Sequence, residues 1–176
     1  MEFQETKLAG AYLIQQKKLA DARGFFARVW CTEEFRQHGL DPTIVQINTG
    51  FNHATGTLRG MHFQEPPHAE AKFVRCTRGA IFDVFIDLRP GSATRGQWVG
   101  FELTAENGAM LYAPPGFAHG YQTLTADSEM YYTTTAMYAG ASARGVRFDD
   151  PAFGIRWPLP VSVVSDADGS WPAYQP

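Results

Sequence analysis

The chain has 176 residues, 44% hydrophobic and 19% charged, enough for one domain whose core needs neither disulfides nor a structural metal. Fifteen Lys and Arg against eighteen Asp and Glu leave a net charge of −3, which offers no basic field to a nucleic-acid backbone. No apolar run approaches the roughly 18 residues of a membrane span, so disorder, a spanning helix and nucleic-acid binding are all excluded as readings.

The whole stretch 1–176 is expected to form a single domain, with no repeat, linker or low-complexity tract. Cys31 and Cys76 lie far apart without C-x-x-C spacing, and Met1-Glu2-Phe3-Gln4-Glu5 has neither the basic nor the apolar segment of a signal peptide. This pattern predicts a cytoplasmic protein with two free thiols.

Taken in chain order, the first regular element is a short helix near Thr32 to His38, with Glu33 and Glu34 in its first turn and Gly39 as its stop. Runs rich in β-branched and aromatic residues follow: Thr43 to Asn48, Lys72 to Thr77, Ala80 to Leu88, Trp98 to Thr104, Met110 to Ala113 and Glu129 to Thr135. The 17 Gly and 11 Pro fall at short intervals between them, as turns do between many short strands. In Ile81-Phe82-Asp83-Val84-Phe85-Ile86-Asp87 two carboxylates interrupt an apolar strand, so at least one should face an enclosed space. The expected class is all-β, a sandwich or jelly-roll barrel with one or two short helices and the Phe residues and Cys76 in its core.

Polar residues concentrate at Arg59 to Gln64, Lys72, Pro114 to Gly120 and Tyr131-Tyr132. Inward residues of distant strands converge in a barrel, so His62, Lys72, His119 and Tyr132 are candidates for one shared site. A barrel-bound metal is often held by His-x-His, whereas Gly60 and Gln64 stand two positions from His62, and Arg59 and Lys72 would repel a cation. No metal is therefore expected. G-x-S-x-G and G-x-G-x-x-G are both missing, which argues against a serine hydrolase and a bound dinucleotide.

General acid and base chemistry beside positive charge remains. His62 can accept a proton near neutrality, Lys72 or Arg59 can stabilise an enolate, and Tyr132 can donate a proton from another direction. That set suits proton abstraction next to a carbonyl. Each residue also has an ordinary structural role open to it: a satisfied strand histidine, a solvated edge lysine, a core tyrosine with its hydroxyl at the rim.

The ordered motifs Gly56 to Gln64, Ala80 to Val84, Asp87-Leu88-Arg89, Pro115 to Gly120, Phe148 to Pro151 and Gly154-Ile155-Arg156-Trp157-Pro158 closely resemble the dTDP-4-dehydrorhamnose 3,5-epimerase family. The likeness runs from Asp21-Ala22-Arg23-Gly24 to Val164-Ser165-Asp166-Ala167-Asp168. It implies a cupin-like jelly-roll barrel, a homodimer with exchanged strands, no cofactor, and inversion of the carbons flanking the C4 ketone of a nucleotide-linked 4-keto-6-deoxysugar. On this resemblance His62 matches the general base, Asp168 the carboxylate that orients it, Tyr132 the general acid and Lys72 the cation beside the C4 oxygen. Arg59 and His119 match further pocket residues. Arg23, Gln46 and Asn48 match nucleotide-holding positions, Phe26 shares the motif of Arg23, and Tyr138 matches an aromatic that stacks on the base. Departures fall on the nucleotide side: Arg28 and Ala143 replace Glu, Thr133 replaces Lys, and Thr49-Gly50-Phe51-Asn52 replaces a Ser- and Arg-rich turn. They leave the expected chemistry in place and bear on which nucleotide sugar is taken, or on inversion at C3 alone.

Overall fold

A computed structural model describes residues 1–175. In chain order the strands are β1 (Glu2–Glu5), β2 (Tyr12–Gln15), β3 (Leu19–Asp21), β4 (Gly24–Phe26), β5 (Gln46–Asn52), β6 (Leu58–Gln64), β7 (Lys72–Arg78), β8 (Ala80–Asp87), β9 (Trp98–Thr104), β10 (Ala109–Ala113), β11 (Phe117–Thr123), β12 (Ser128–Thr134) and β13 (Ala143–Gly145). Two short helices, α1 (Thr32–Gln37) and α2 (Asp166–Gly169), complete the set. The fold is an all-β, cupin-like jelly roll. One antiparallel sheet runs β1-β2-β10-β7-β12-β5 and the other β13-β6-β11-β8-β9. The hairpin β3-β4 forms a separate two-stranded sheet.

Period-two patterning builds the core between the sheets. Val74, Cys76, Leu111 and Met130 on the first sheet meet Ile81, Phe85, Leu103 and Phe117 on the second. The other face of β8 is apolar too: Val84 and Ile86 pack with Met61, Val146 and Phe153, so this strand is buried on both sides. Outside the first sheet, Phe73, Met110 and Tyr112 are covered by Phe35 of α1 and by Leu40. The helix ends as expected, with the Gly39 and Leu40 N–H groups donating to the carbonyls of Arg36 and Phe35.

The interior carboxylates differ in fate. Asp83 and Asp87 are both fully buried. Asp87 is held by Arg89 at 2.8 Å and accepts from the Ser92 and Thr94 hydroxyls at 2.6 and 2.7 Å, whereas Asp83 faces the site described below.

Several local expectations are corrected. Strand β5 begins at Gln46, because an Asp41 side chain accepting from the Thr43 N–H turns the chain beforehand. It then runs through Asn52, with every residue paired to β12, so Thr49 to Asn52 is strand and not turn. Lys72 opens a central strand and is buried, not solvated at an edge. Phe25, Phe26 and Phe51 are exposed instead of lying in the core.

Candidate active site

A cavity of about 710 Å³ opens between the two sheets, and both contribute inward-facing residues to it. Neighbouring strands β7, β12 and β5 of the first sheet bring Lys72, Tyr132, Asn48 and Gln46, with Tyr132 directly opposite Asn48 in the ladder. Strands β6 and β11 of the facing sheet bring Arg59, His62, His119 and Tyr121.

Arg59 and His62 are three residues apart, so strict strand alternation would turn them to opposite faces. A register irregularity resolves this: His119 pairs with His62 and Tyr121 with Arg59, so two steps along β11 match three along β6. The extra residue restores the parity, as a β-bulge does. Gly60 makes it possible. Its φ is +124°, and a Cβ there would lie 2.5 Å from Gly120 Cα and 2.8 Å from the His119 carbonyl oxygen. No side chain fits that approach.

His62 is half-exposed to the cavity, and its Nε2 lies 2.6 Å from Asp168 Oδ1. Asp168 is buried and its second oxygen accepts from the Gly60 N–H at 3.2 Å. Burial is the largest influence on this carboxyl and acts upward. The His62 hydrogen bond and charge, with Gly60 and Ser165, outweigh it and hold Asp168 below the usual carboxylate range. An ionised carboxylate only accepts, so the His62 proton sits on Nε2 and Nδ1 keeps a free lone pair. Asp168 arrives on α2, whose Ser165 cap accepts from the Asp168 N–H at 3.1 Å.

Across the cavity, burial and the Glu70 charge push the Tyr132 phenol up, with Arg59 opposing. The phenol therefore stays protonated through the neutral range and can give a proton. Lys72 pairs with Glu70 at 2.9 Å and donates to the His62 carbonyl at 3.1 Å. Gln64 also donates to Glu70 and accepts from the Ala139 N–H, tying the loop that carries Tyr138 to the cavity. Removing one partner of a buried ion pair typically costs about 3–5 kcal/mol, so Glu70 fixes where Lys72 stands.

His119 Nε2 lies 2.8 Å from Asp83 Oδ2 at the cavity floor. Burial raises the Asp83 pKa, opposed by His119 and Lys72. Arg59 is aimed by its Nε, which donates to Asn52 Oδ1 at 2.7 Å.

The sequence-predicted residues His62, Tyr132, Asp168, Lys72, Arg59, His119, Gln46, Asn48 and Tyr138 thus all line one cavity. Arg23 and Phe26 do not. They sit on the β3-β4 hairpin, where Arg23 pairs with Asp21 and Phe26 is 69% exposed.

A family model described as dTDP-4-dehydrorhamnose 3,5-epimerase matches residues 5–175. The chain belongs to the dTDP-4-dehydrorhamnose 3,5-epimerase family. It is 47% identical over 174 residues to the Sinorhizobium fredii dTDP-4-dehydrorhamnose 3,5-epimerase, covering 98% of this chain and 89% of that one. The crystal structure of the Elizabethkingia anophelis dTDP-4-dehydrorhamnose 3,5-epimerase superposes with a TM-score of 0.96 at 36% identity, covering 99% of this chain and 96% of that one. A 3′-monoepimerase from Streptomyces bikiniensis, solved with dTDP-quinovose, gives 0.88 at 34% identity, covering 96% and 85%.

The chain is accordingly a sugar-nucleotide epimerase, an isomerase, and the resemblance read from its motifs is borne out. Of its departures from the family pattern, Ala143, Thr49 and Gly50 line the cavity. Arg28 is engaged with Glu34 at 3.1 Å, and Thr133 follows Tyr132 onto the opposite face of β12. Sequence reasoning missed Glu70 and Trp171. Glu70 was signalled by its position two residues before Lys72, just ahead of β7, and Trp171 by its position three residues after Asp168.

Proposed function

We propose that this epimerase inverts C3 and C5 of a dTDP-linked 4-keto-6-deoxyhexose, in rhamnose-type deoxysugar biosynthesis, with His62 as base and Tyr132 as acid. The observation that carries the assignment is their placement on facing sheets of one cavity. A sugar ring lying between the sheets presents one face to each.

His62 Nδ1 takes the proton from the carbon beside the C4 ketone, and the C–H electron pair moves into an enolate whose charge rests on the ketone oxygen. The Lys72 ammonium stabilises that oxygen, with His119 and Arg59 nearby, in a site where charge is poorly screened. Tyr132 then delivers a proton to the opposite face of the same carbon, and the ketone re-forms with inverted configuration. The same set serves C5 after the ring shifts or flips. Solvent resets the two groups, since each turnover loads His62 and empties Tyr132. The positive charge this chemistry needs is supplied by side chains, so no metal or cofactor enters the scheme.

Gln46, Asn48 and Tyr138 hold the nucleotide at the mouth. Arg23 and Phe26 complete that end in a neighbouring subunit's site, which makes the working form a homodimer. The support is that neither lines the cavity of its own chain, together with the exposed Leu19, Phe25 and Phe26 on the same hairpin. The free cysteines accord with a cytoplasmic enzyme.

Turnover of dTDP-4-keto-6-deoxyglucose in deuterated water tests the reading. Deuterium at both C3 and C5 is expected. Label at C3 alone would assign the narrower activity named for the Streptomyces bikiniensis neighbour. No label at either carbon would leave only a sugar-nucleotide-binding barrel.

A further inference from the structure

Beyond α2 the chain returns to the catalytic base. The Trp171 indole meets the His62 imidazole edge to face, with ring centroids 6.5 Å apart and planes at 70°. It also forms part of the cavity wall. Beneath the indole lies Gly145 of β13, the residue directly across from His62 in the ladder. A Cβ at Gly145 would overlap Trp171 Cε2, Nε1 and Cδ2. The Gly145 φ lies outside the left-handed region, so what this position requires is the absence of a side chain and not an unusual backbone. The indole Nε1 is buried there without a hydrogen-bond partner among the described residues. A seat that leaves a donor unsatisfied calls for a compensating role.

The segment bearing Trp171 is tethered on both sides. The Leu58 N–H donates to the Val163 carbonyl at 2.8 Å before α2. After it, the Tyr174 N–H donates to Asp150 Oδ2 at 2.7 Å and its ring packs on Phe153. Asp168 and Trp171 therefore reach His62 as one fixed unit. The His62 ring is half-exposed, and a single hydrogen bond at Nε2 does not by itself stop it swinging about its side-chain bonds.

We propose that Trp171, seated on Gly145, is a positioning residue whose indole holds the His62 ring on Asp168 and keeps Nδ1 free to take the substrate proton. This rests on His62 being the base. Small misplacement of a reacting group costs up to about 10²-fold in rate, and the effect belongs in kcat, because the ring is displaced and not removed.

The test compares Trp171→Ala, Trp171→Phe, Gly145→Ala and the Gly145→Ala/Trp171→Ala double variant, with melting curves to confirm folding. Trp171→Ala should lower kcat about 10- to 100-fold with a much smaller change in KM, and move the acid limb of the kcat/KM profile. Trp171→Phe should recover most of the rate. Gly145→Ala should match Trp171→Ala, and cost nothing further in the double variant, where the added methyl has room. Unchanged kcat in Trp171→Ala, or a rise in KM alone, overturns the proposal. So does a double variant that falls below Trp171→Ala by the full factor that Gly145→Ala costs in the wild-type background. If Trp171→Ala does not fold, the His62 ring-nitrogen NMR shifts of wild type and Trp171→Leu, which keeps apolar bulk but not the aromatic ring, decide. A single Nε2–H tautomer in wild type that becomes mixed in Trp171→Leu supports the proposal, and identical spectra sink it. Substrate-proton exchange into deuterated water separates the two readings. No exchange in wild type defeats the assignment of the base, whereas equal exchange in wild type and Trp171→Ala defeats only this inference.

Discussion

The barrel interior and the β3-β4 hairpin are opposite solutions to placing polar residues. In the interior each charged group is bought at the cost of burial and given a partner: Asp168 has His62, Lys72 has Glu70, Asp83 has His119. On the hairpin, Arg23 is 89% exposed and its bond to Asp21 lies open to water, while Leu19, Phe25 and Phe26 leave apolar surface uncovered. The first region is finished within one chain. The second has the composition of an interface, with aromatic residues around an Arg. On the proposed reading, one chain builds the catalytic half of the site and the hairpin of a second completes the nucleotide end.

The strongest way to break that division is to disable the interior alone. His62→Asn removes the proposed base and leaves the hairpin untouched, so turnover and substrate-proton washout should both fall by about 10²–10⁴-fold with the fold intact. Tyr132→Phe should separate the steps: washout persists while inverted product falls. Washout lost in Tyr132→Phe but retained in His62→Asn would reverse the two roles.

The hairpin makes the complementary case. Arg23→Ala should raise KM for the nucleotide sugar more than it lowers kcat, since the residue touches no reacting group. If Arg23 serves a neighbour's cavity, mixing Arg23→Ala and His62→Ala proteins at substrate far below the raised KM should restore part of the activity, because some mixed dimers carry one intact site. No recovery after subunit exchange, or full activity of a sedimenting monomer, would return Arg23 to its own chain.

How much of this was legible in the sequence follows the same line. Strands β7, β8, β9, β10 and β12 stand out because β-branched, aromatic and other apolar residues dominate them. Strands β6 and β11 are hidden by what makes them functional: Arg59, Gly60 and His62 in one, His119 and Gly120 in the other, interrupt the pattern with site residues and a bulge. Asp168 came only through family resemblance. Its tail is polar and short, and burial of its carboxylate depends on a contact with Gly60 more than a hundred positions away. The Ser165-x-x-Asp168 spacing does mark a helix start, though not what the helix delivers. The hairpin's purpose cannot be read from one chain's hydrophobic pattern if, as proposed, its partner surface lies in another copy.

Asp168→Asn should have a smaller effect than losing the base. The amide still reaches His62 but no longer fixes the proton on Nε2 by charge, so the rate should fall about 10- to 100-fold, the range seen when an orienting partner of an imidazole is lost. A loss equal to that of His62→Asn would make Asp168 a direct participant.

The smallest expected effect compares carboxylates in stability instead of rate. Asp87 and Asp21 both bond an arginine two residues on, and both are held below their usual range. For Asp87 burial acts upward most strongly, but Arg89, Ser92 and Thr94 together outweigh it. For Asp21 the Arg23 side chain leads, in full contact with water. A carboxyl whose folded pKa lies below its unfolded value stabilises the fold fully above the unfolded value, near 3.9, and loses that contribution as pH falls toward the folded one. Asp87→Asn should therefore lower the melting temperature at pH 7 and flatten its decline below about pH 4, whereas Asp21→Asn should leave both unchanged at physiological salt, where an exposed pair is screened. Melting curves from pH 7 to pH 2 distinguish them, and equal behaviour of the two variants would mean that the hairpin is buried in solution, as it would be if the second subunit already covers it.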